Sequence, residues 1–143
     1  MTESKKTFLY VDAIEDFDIF QKLTKNTDYF KNNLHLFTCA VLVGKFVLNE
    51  TSKIENKRKD VVRIIDNRND ENLAILKCLA ISEYKDVNIL TDEKKMFEYC
   101  EKYARTGLHQ IYEWHHDPSY DLGTVLSREL IGAMRNINLD DLK

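Results

Sequence analysis

Apolar residues recur at helical spacing along most of the chain, beginning with a short stretch near the start. Its members step by three residues: Ile14, Phe17, Phe20 and Leu23. This spacing predicts an amphipathic helix over about 13–24, because residues three or four apart share one helix face. Asp12 precedes the helix as a natural N-cap, and the polar residues 26–28 interrupt the pattern after it.

The second predicted helix, over about 29–48, is apolar on nearly all its faces. One stripe is spaced by three or four residues: Phe30, Leu34, Phe37, Val41, Gly44 and Leu48. A helix that is apolar nearly all round is usually covered on several sides, so we expect this one at the centre of the fold. Gly44 costs roughly 1 kcal/mol relative to Ala inside a helix, which indicates a close approach of a neighbouring backbone.

Three further helices are predicted downstream. The third covers about 70–84, and the fourth starts after Thr91 as its N-cap and reaches His116. Gly107 either splits the fourth helix into two segments or kinks it, and Asp117-Pro118 ends it, since the residue before proline avoids helical geometry. The fifth helix covers about 120–135, and the acidic tail after it, 139–143, is expected to fray.

Two short apolar runs do not fit a helix. Phe8–Val11 is consistent with an edge strand or an extended arm, and the β-branched run Val61–Ile65 could pair with it as a two-stranded β ribbon.

Composition favours helices over strands. The 143 residues contain only 4 Gly and 1 Pro, whereas average usage would give about 12%, or on the order of 17 residues. A β-sandwich or barrel needs a turn every 8–12 residues or so, and few of the turns here could carry Gly or Pro. The predicted fold is therefore all-α, a compact bundle of about five helices in a single domain, residues 1–143.

Charge, cysteine and hydropathy define the expected setting. Asp and Glu number 24 against 21 Lys and Arg, a net charge of −3, so contact with DNA must be local rather than broad. Cys39, Cys78 and Cys100 lie in apolar helical patterns without metal-ligand spacing, and we expect buried free thiols in a reducing cytoplasm. Phe8–Val11 is too short for the core of a signal peptide, and 34–48 is too short to span a bilayer.

One stretch is locally basic and could bind an anionic partner. We call it the basic segment, and it comprises Lys53, Lys57, Arg58, Lys59 and Arg63. Its surroundings, residues 49–60, predict a polar connection between helices. Two interpretations are open: a solvated loop, or contact with a phosphate backbone or an acidic protein face.

Candidate catalytic and metal-binding residues are few. Glu113 and His116 form the single Glu-x-x-His pair of the sequence, whereas di-iron bundles need two such pairs and two further glutamates. His109 lies seven residues from His116, about 10.5 Å along a helix axis, which is too far for one metal ion. No nucleophile motif or phosphate-binding Gly-rich loop occurs. The sequence thus predicts no metal, no cofactor and no enzymatic activity.

Aromatic residues cluster around the fourth helix, where Arg105 and Arg128 are candidate contact residues. The aromatic members are Tyr99, Tyr103, Tyr112, Trp114 and Tyr120. Aromatics with nearby arginines suit base stacking or a protein interface, but packing in the core is the simpler explanation.

Four segments resemble a family of small proteins encoded with DNA phosphorothioation (Dnd-type) gene clusters. They are Asp28–Phe30, Leu36–Gly44, Asp70–Leu73 and Phe97–Leu108. The last is the most similar, because it follows the family's pattern of Phe, then Glu-x-Tyr-Ala, two residues and Gly-Leu. The resemblance covers about 28–115, whereas the basic connection is longer than in the family and the segment after Pro118 has no counterpart.

The resemblance implies a non-catalytic accessory or binding subunit of a DNA modification or restriction system in antiphage defence. Its expected partners are protein subunits of that system and, by local contact, DNA. The matched segments carry no catalytic residue, and no cysteine pattern suits the iron–sulfur chemistry of phosphorothioation. The alternative is a small helical nucleic-acid-binding regulator or antitoxin-like protein, which requires an exposed basic recognition helix.

Overall fold

The structure is a computed structural model that describes residues 5–25, 27, 29–119 and 121–135. Its elements run in the order β1 (Phe8–Asp12), α1 (Phe17–Lys25), α2 (Asn33–Leu42), β2 (Arg58–Arg63), α3 (Glu71–Tyr84), α4 (Glu93–His116) and α5 (Leu122–Arg135). A π-helical segment, Val43–Leu48, continues α2, and 3₁₀ turns precede α3 and α4. The prediction of a mostly helical bundle of five helices with a small β ribbon is confirmed.

The ribbon is a two-stranded antiparallel sheet. Leu9 pairs with Val62, and Val11 pairs with Lys59. The register shifts between Leu9 and Tyr10, as it does where a β-bulge adds a residue to one strand. β2 begins at Arg58, three residues earlier than predicted, because backbone pairing with β1 extends the strand into the basic segment.

The core lies between α2 and α4, which pack against each other and are flanked by α1, α3, α5 and β1. Leu36, Phe37 and Val41 of α2 are fully buried, as are Phe97 and Ile111 of α4. The central position predicted for the second helix is confirmed.

Several helix boundaries differ from the predictions because side-chain caps set them. α2 begins at Asn33, where Asn32 accepts a hydrogen bond from the His35 N–H at 2.9 Å. α4 is capped by Asp92, which accepts from the Lys95 N–H at 3.1 Å, while Thr91 ends the preceding 3₁₀ turn. Asp12 caps the turn before α1 rather than α1 itself, since its carboxylate accepts from the N–H groups of Ile14 and Glu15.

Other boundaries agree with the predictions or lie outside the described residues. α3 begins after its cap Asp70, and α4 ends before Asp117-Pro118. Gly107 does not split α4 into two segments, because the helix continues through it from Glu93 to His116. α5 begins at Leu122, after Asp121, which accepts from the Thr124 N–H at 3.1 Å. Asn26, Asp28, Tyr120 and the tail 139–143 lie outside the described residues. Among the described residues, no helix combines the length and apolarity needed to cross a membrane.

The three cysteines are free but not equally buried. Cys100 is buried, Cys39 is half-buried and Cys78 is exposed. The prediction that all three are buried is therefore wrong for Cys78. α3 is apolar on more of its surface than its neighbours cover, so Cys78 and nearby Ile75 remain at the surface.

Candidate functional site

A row of ionisable residues runs along α4. Glu93, Glu101 and Arg105 are all buried, and His109 extends the row by four further residues. Residues four apart share a helix face, so this row places charge inside the protein. Buried charges are normally paired, and each of these residues has a partner from another part of the chain.

Arg105 is the centre of the largest ionic cluster. Only 8% of its side chain is exposed, and Nε lies 3.3 Å from Asp16 Oδ2 while Nη2 lies 3.6 Å from Asp12 Oδ2. Nη2 also pairs with Glu15, and Nη1 donates to the carbonyl oxygen of Lys53. Arg105 thereby joins α4 to the turn between β1 and α1 and to the connection before β2.

Asp12 supports the same corner of the fold. Its carboxylate accepts hydrogen bonds from the N–H groups of Glu15, Ile14 and Asn56 and from the Asn56 side chain. Burial alone would raise the pKa of Asp12, but these hydrogen bonds outweigh it and lower the pKa from 3.8 to about 2. Asp12 is therefore ionised at neutral pH and attracts the Arg105 guanidinium.

His109 lies at the rim of the cluster. Its Nε2 is 2.6 Å from Asp16 Oδ1, and the hydrogen bond to Asp16 raises the pKa of His109, with burial opposing the shift. Asp16 Oδ2 has no hydrogen bond of good geometry, although Arg105 Nε lies within ion-pair distance. His109 also lines an open groove of about 520 Å³ with Leu48, Glu50 and Tyr112.

The cluster around Arg105 contains more acidic than basic side chains. Three carboxylates, those of Asp12, Glu15 and Asp16, face the single guanidinium of Arg105, and a proton on His109 reduces the excess of negative charge. Within the part of the chain that the structure describes, no group of three His, Cys, Asp or Glu residues is placed to hold a metal ion. His116 instead packs edge-on against Tyr112, with ring centroids 4.1 Å apart.

The sequence predicts Arg105 as a candidate contact residue, whereas the structure places its side chain in the interior. Its guanidinium is enclosed by carboxylates in the free protein and is not displayed to a partner. Arg128 is exposed on α5 and lies 3.4 Å from Glu129. The nearby aromatic residues Tyr99 and Tyr103 are buried and stack edge-to-face at 5.2 Å, in agreement with packing in the core.

All five residues of the basic segment are exposed, but they do not form one continuous patch. Lys53 and Lys57 lie in the connection, and the other three lie on β2. Neighbouring residues of a strand point to opposite faces: Lys59 lies over the Phe17 ring at 5.3 Å, whereas Arg58 lines a hollow beside α4. Arg63 is 3.7 Å from Asp66.

The backbone of the connection that carries Lys53 and Lys57 is hydrogen-bonded to the rest of the fold. Ser52 N–H donates to the Lys102 carbonyl at 3.1 Å, and Thr106 Oγ1 donates to the Glu50 carbonyl at 2.8 Å. Lys57 in turn accepts from the Ala13 N–H at 2.7 Å. The side chains reach solvent while the backbone is fixed to α4 and to the corner after β1.

Sequence reasoning missed the acidic partners of Arg105 because they lie about ninety residues away in the chain. One signal was present: Glu101, Arg105 and His109 interrupt an apolar helix at four-residue steps. Such a polar row on a helix that must be buried indicates partners elsewhere. No family model, curated protein or solved structure matches this chain.

Proposed function

We propose that this protein is a non-catalytic accessory subunit of a DNA phosphorothioation-linked modification or restriction system, acting in the cytoplasm in antiphage defence. In this proposal it binds protein subunits of the system and touches DNA through the basic segment. The link to such a system rests on the resemblance of residues 28–115. The observation that carries the DNA contact is the basic segment: five exposed cations on a fixed backbone in a chain whose net charge is −3.

The fixed backbone favours binding. An interaction surface that is ordered before its partner arrives avoids part of the entropy cost of association. Lys53 is held at its carbonyl by Arg105, Lys57 at its carbonyl by Ala13, and Arg58 by strand pairing with Asp12. The cationic side chains can therefore meet phosphates without ordering a loop.

A binding role also suits the other ionisable residues that the structure describes. Arg105 is paired with Asp12 and Asp16, and Glu101 is paired with Lys6. The two glycines within the resembling segments, Gly44 and Gly107, lie where α4 meets the segment after α2. These residues stabilise the fold, so the exposed cations remain the best source of attraction for an anionic partner.

The alternative of a helical regulator receives less support. A recognition helix needs exposed cationic or amide side chains, and the basic segment lies on a connection and a strand. The exposed residues of α3 carry no cation, whereas α4 exposes three lysines, Lys94, Lys95 and Lys102, without an exposed arginine, asparagine or glutamine beside them.

A titration of duplex DNA at several salt concentrations tests the DNA contact. The parent is compared with a variant that has Lys57, Arg58 and Lys59 changed to Ala. For every phosphate that the variant no longer neutralises, the slope of log affinity against log salt should become shallower by about 0.9. Equal binding by both forms would place the DNA-binding surface elsewhere.

The link to a modification system has its own test. The gene is expected beside genes for a cysteine desulfurase and an iron–sulfur partner, and the protein is expected to co-purify with a product of that cluster. A different neighbourhood without co-purification would contradict the assignment to such a system.

A further inference from the structure

A small hollow lies where the connection before β2 and the start of β2 meet the middle of α4. Its volume is about 220 Å³, and its lining is mostly charged: Lys53, Ile54, Arg58, Glu98, Glu101 and Lys102. The cations come from three separate segments of the chain. Lys102 belongs to α4 and is not part of the basic segment, so only the folded chain brings it beside Lys53 and Arg58.

The backbones that carry the three cations are each held by contacts with neighbouring elements. Ser52 N–H donates to the Lys102 carbonyl at 3.1 Å, which docks the connection on α4 one residue before Lys53. Arg58 is the first residue of β2 and pairs with Asp12. The three side chains can thus converge on a single group in the hollow.

Glu101, one of the two carboxylates in the lining, repels an anion less than an unpaired carboxylate would. Glu101 is 4% exposed, and its Oε2 lies 3.3 Å from Lys6 Nζ and 2.7 Å from the Tyr10 nitrogen. Burial raises the pKa of Glu101, with Lys6 opposing the shift. Including Lys6, four cations face two carboxylates, and the net charge around the hollow is positive.

We propose that this hollow binds one phosphate group, held by Lys53, Arg58 and Lys102. This inference rests on the proposed function for the source of the phosphate, which is the backbone of duplex DNA. Pockets for drug-sized ligands measure about 300–1,000 Å³, and this hollow, at about 220 Å³, is smaller, so a small group is the more suitable ligand. Lysine and arginine are the usual phosphate partners in proteins, and backbone contacts of this kind fix position without reading sequence.

Lys102 gives the sharpest test because it lies outside the basic segment. Lys102→Gln is compared with Lys94→Gln, a matched control, since both residues are exposed lysines of α4. Fluorescently labelled duplexes of two unrelated sequences are titrated at several salt concentrations. We expect Lys102→Gln to weaken binding of both duplexes equally and to reduce the salt slope by about 0.9. Lys94→Gln should bind like the parent.

The outcomes separate this inference from the proposed function. If Lys102→Gln binds like the parent while the Lys57, Arg58 and Lys59 variant is weakened, the hollow is not the site and the basic segment still is. If the parent does not bind DNA at low salt, the proposed DNA binding is wrong, and inorganic phosphate is tested by thermal unfolding. A phosphate-dependent rise in Tm that Lys102→Gln lacks, with chloride at matched ionic strength as the reference, would support a site for free phosphate. No response to DNA or to phosphate overturns the inference.

Discussion

Gly44 and Gly107 meet backbone to backbone where α4 crosses the π-helical segment that follows α2. A Cβ atom on Gly107 would lie 2.8 Å from the backbone nitrogen of Gly44 and 2.6 Å from the carbonyl carbon of Ala40. A Cβ atom on Gly44 would lie 2.9 Å from the carbonyl carbon of Tyr103. Neither position has space for a side chain, so the two helical segments approach as closely as they do only because both residues are glycine.

Alanine at either glycine should destabilise the protein. Helix propensity alone favours Ala over Gly, but Gly44→Ala or Gly107→Ala forces α4 away from its neighbour, and overpacking of this kind typically costs ~1–3 kcal/mol. Gly132→Ala is the control, since nothing lies within 4 Å of its Cβ position, and it should stabilise by roughly 0.5–1 kcal/mol. Urea unfolding of the three variants measures the difference. A Gly107→Ala variant as stable as Gly132→Ala would contradict the close crossing.

Removing Arg105 should be among the most damaging single changes. Arg105→Met leaves the buried carboxylates of Asp12 and Asp16 without their cation, and breaking a buried ion pair costs about 3–5 kcal/mol. Arg128→Ala is the surface control and should change stability by no more than about 0.5 kcal/mol. Chemical unfolding compares the two, and only slight destabilisation by Arg105→Met would show that solvent already screens the cluster. If Arg105→Met does not fold, Arg105→Lys keeps the charge and should be intermediate in stability.

The His109–Asp16 pair should make stability depend on pH. The hydrogen bond to Asp16 raises the pKa of His109 above its ordinary value of 6.5, so folding favours the protonated ring. This contribution is fully present below about 6.5 and is lost as the pH rises through the raised pKa. The difference in free energy of unfolding between the parent and His109→Gln should therefore shrink as the pH rises from about 6.5 through the raised pKa of His109. A difference that stays constant from about pH 5 to 9 would show that the pKa is not raised.

The cysteines should differ in reactivity. Cys78 is exposed, whereas burial raises the pKa of Cys39 to about 11 and also raises that of Cys100. Because the thiolate is the reactive form, an aromatic disulfide reagent should modify Cys78 rapidly in the native protein. Cys39 and Cys100 should react only on unfolding. Cys78→Ser should abolish the rapid phase. Rapid modification that persists in Cys78→Ser would mean that α3 does not present Cys78 to solvent.

The helices and many of their ends follow from patterns in the amino-acid sequence. A helix face repeats every three or four residues, and caps such as Asp70 and stops such as Asp117-Pro118 act within a few residues of where they stand. Because these signals are local, they can be recognised in the sequence without the structure. The short β-branched run after the basic connection also indicated the ribbon, although its pairing extends β2 back to Arg58.

Which charged side chains pair depends on the three-dimensional fold. Arg105 and Asp12 are far apart in sequence, and no local pattern selects their pairing among many possible ion pairs. The same holds for Lys102 beside Lys53 and Arg58, and for Cys78, whose exposure depends on how much of α3 its neighbours cover. Helical periodicity reports that a residue lies on an apolar face, whereas burial and ion pairing depend on what the rest of the chain places against that face.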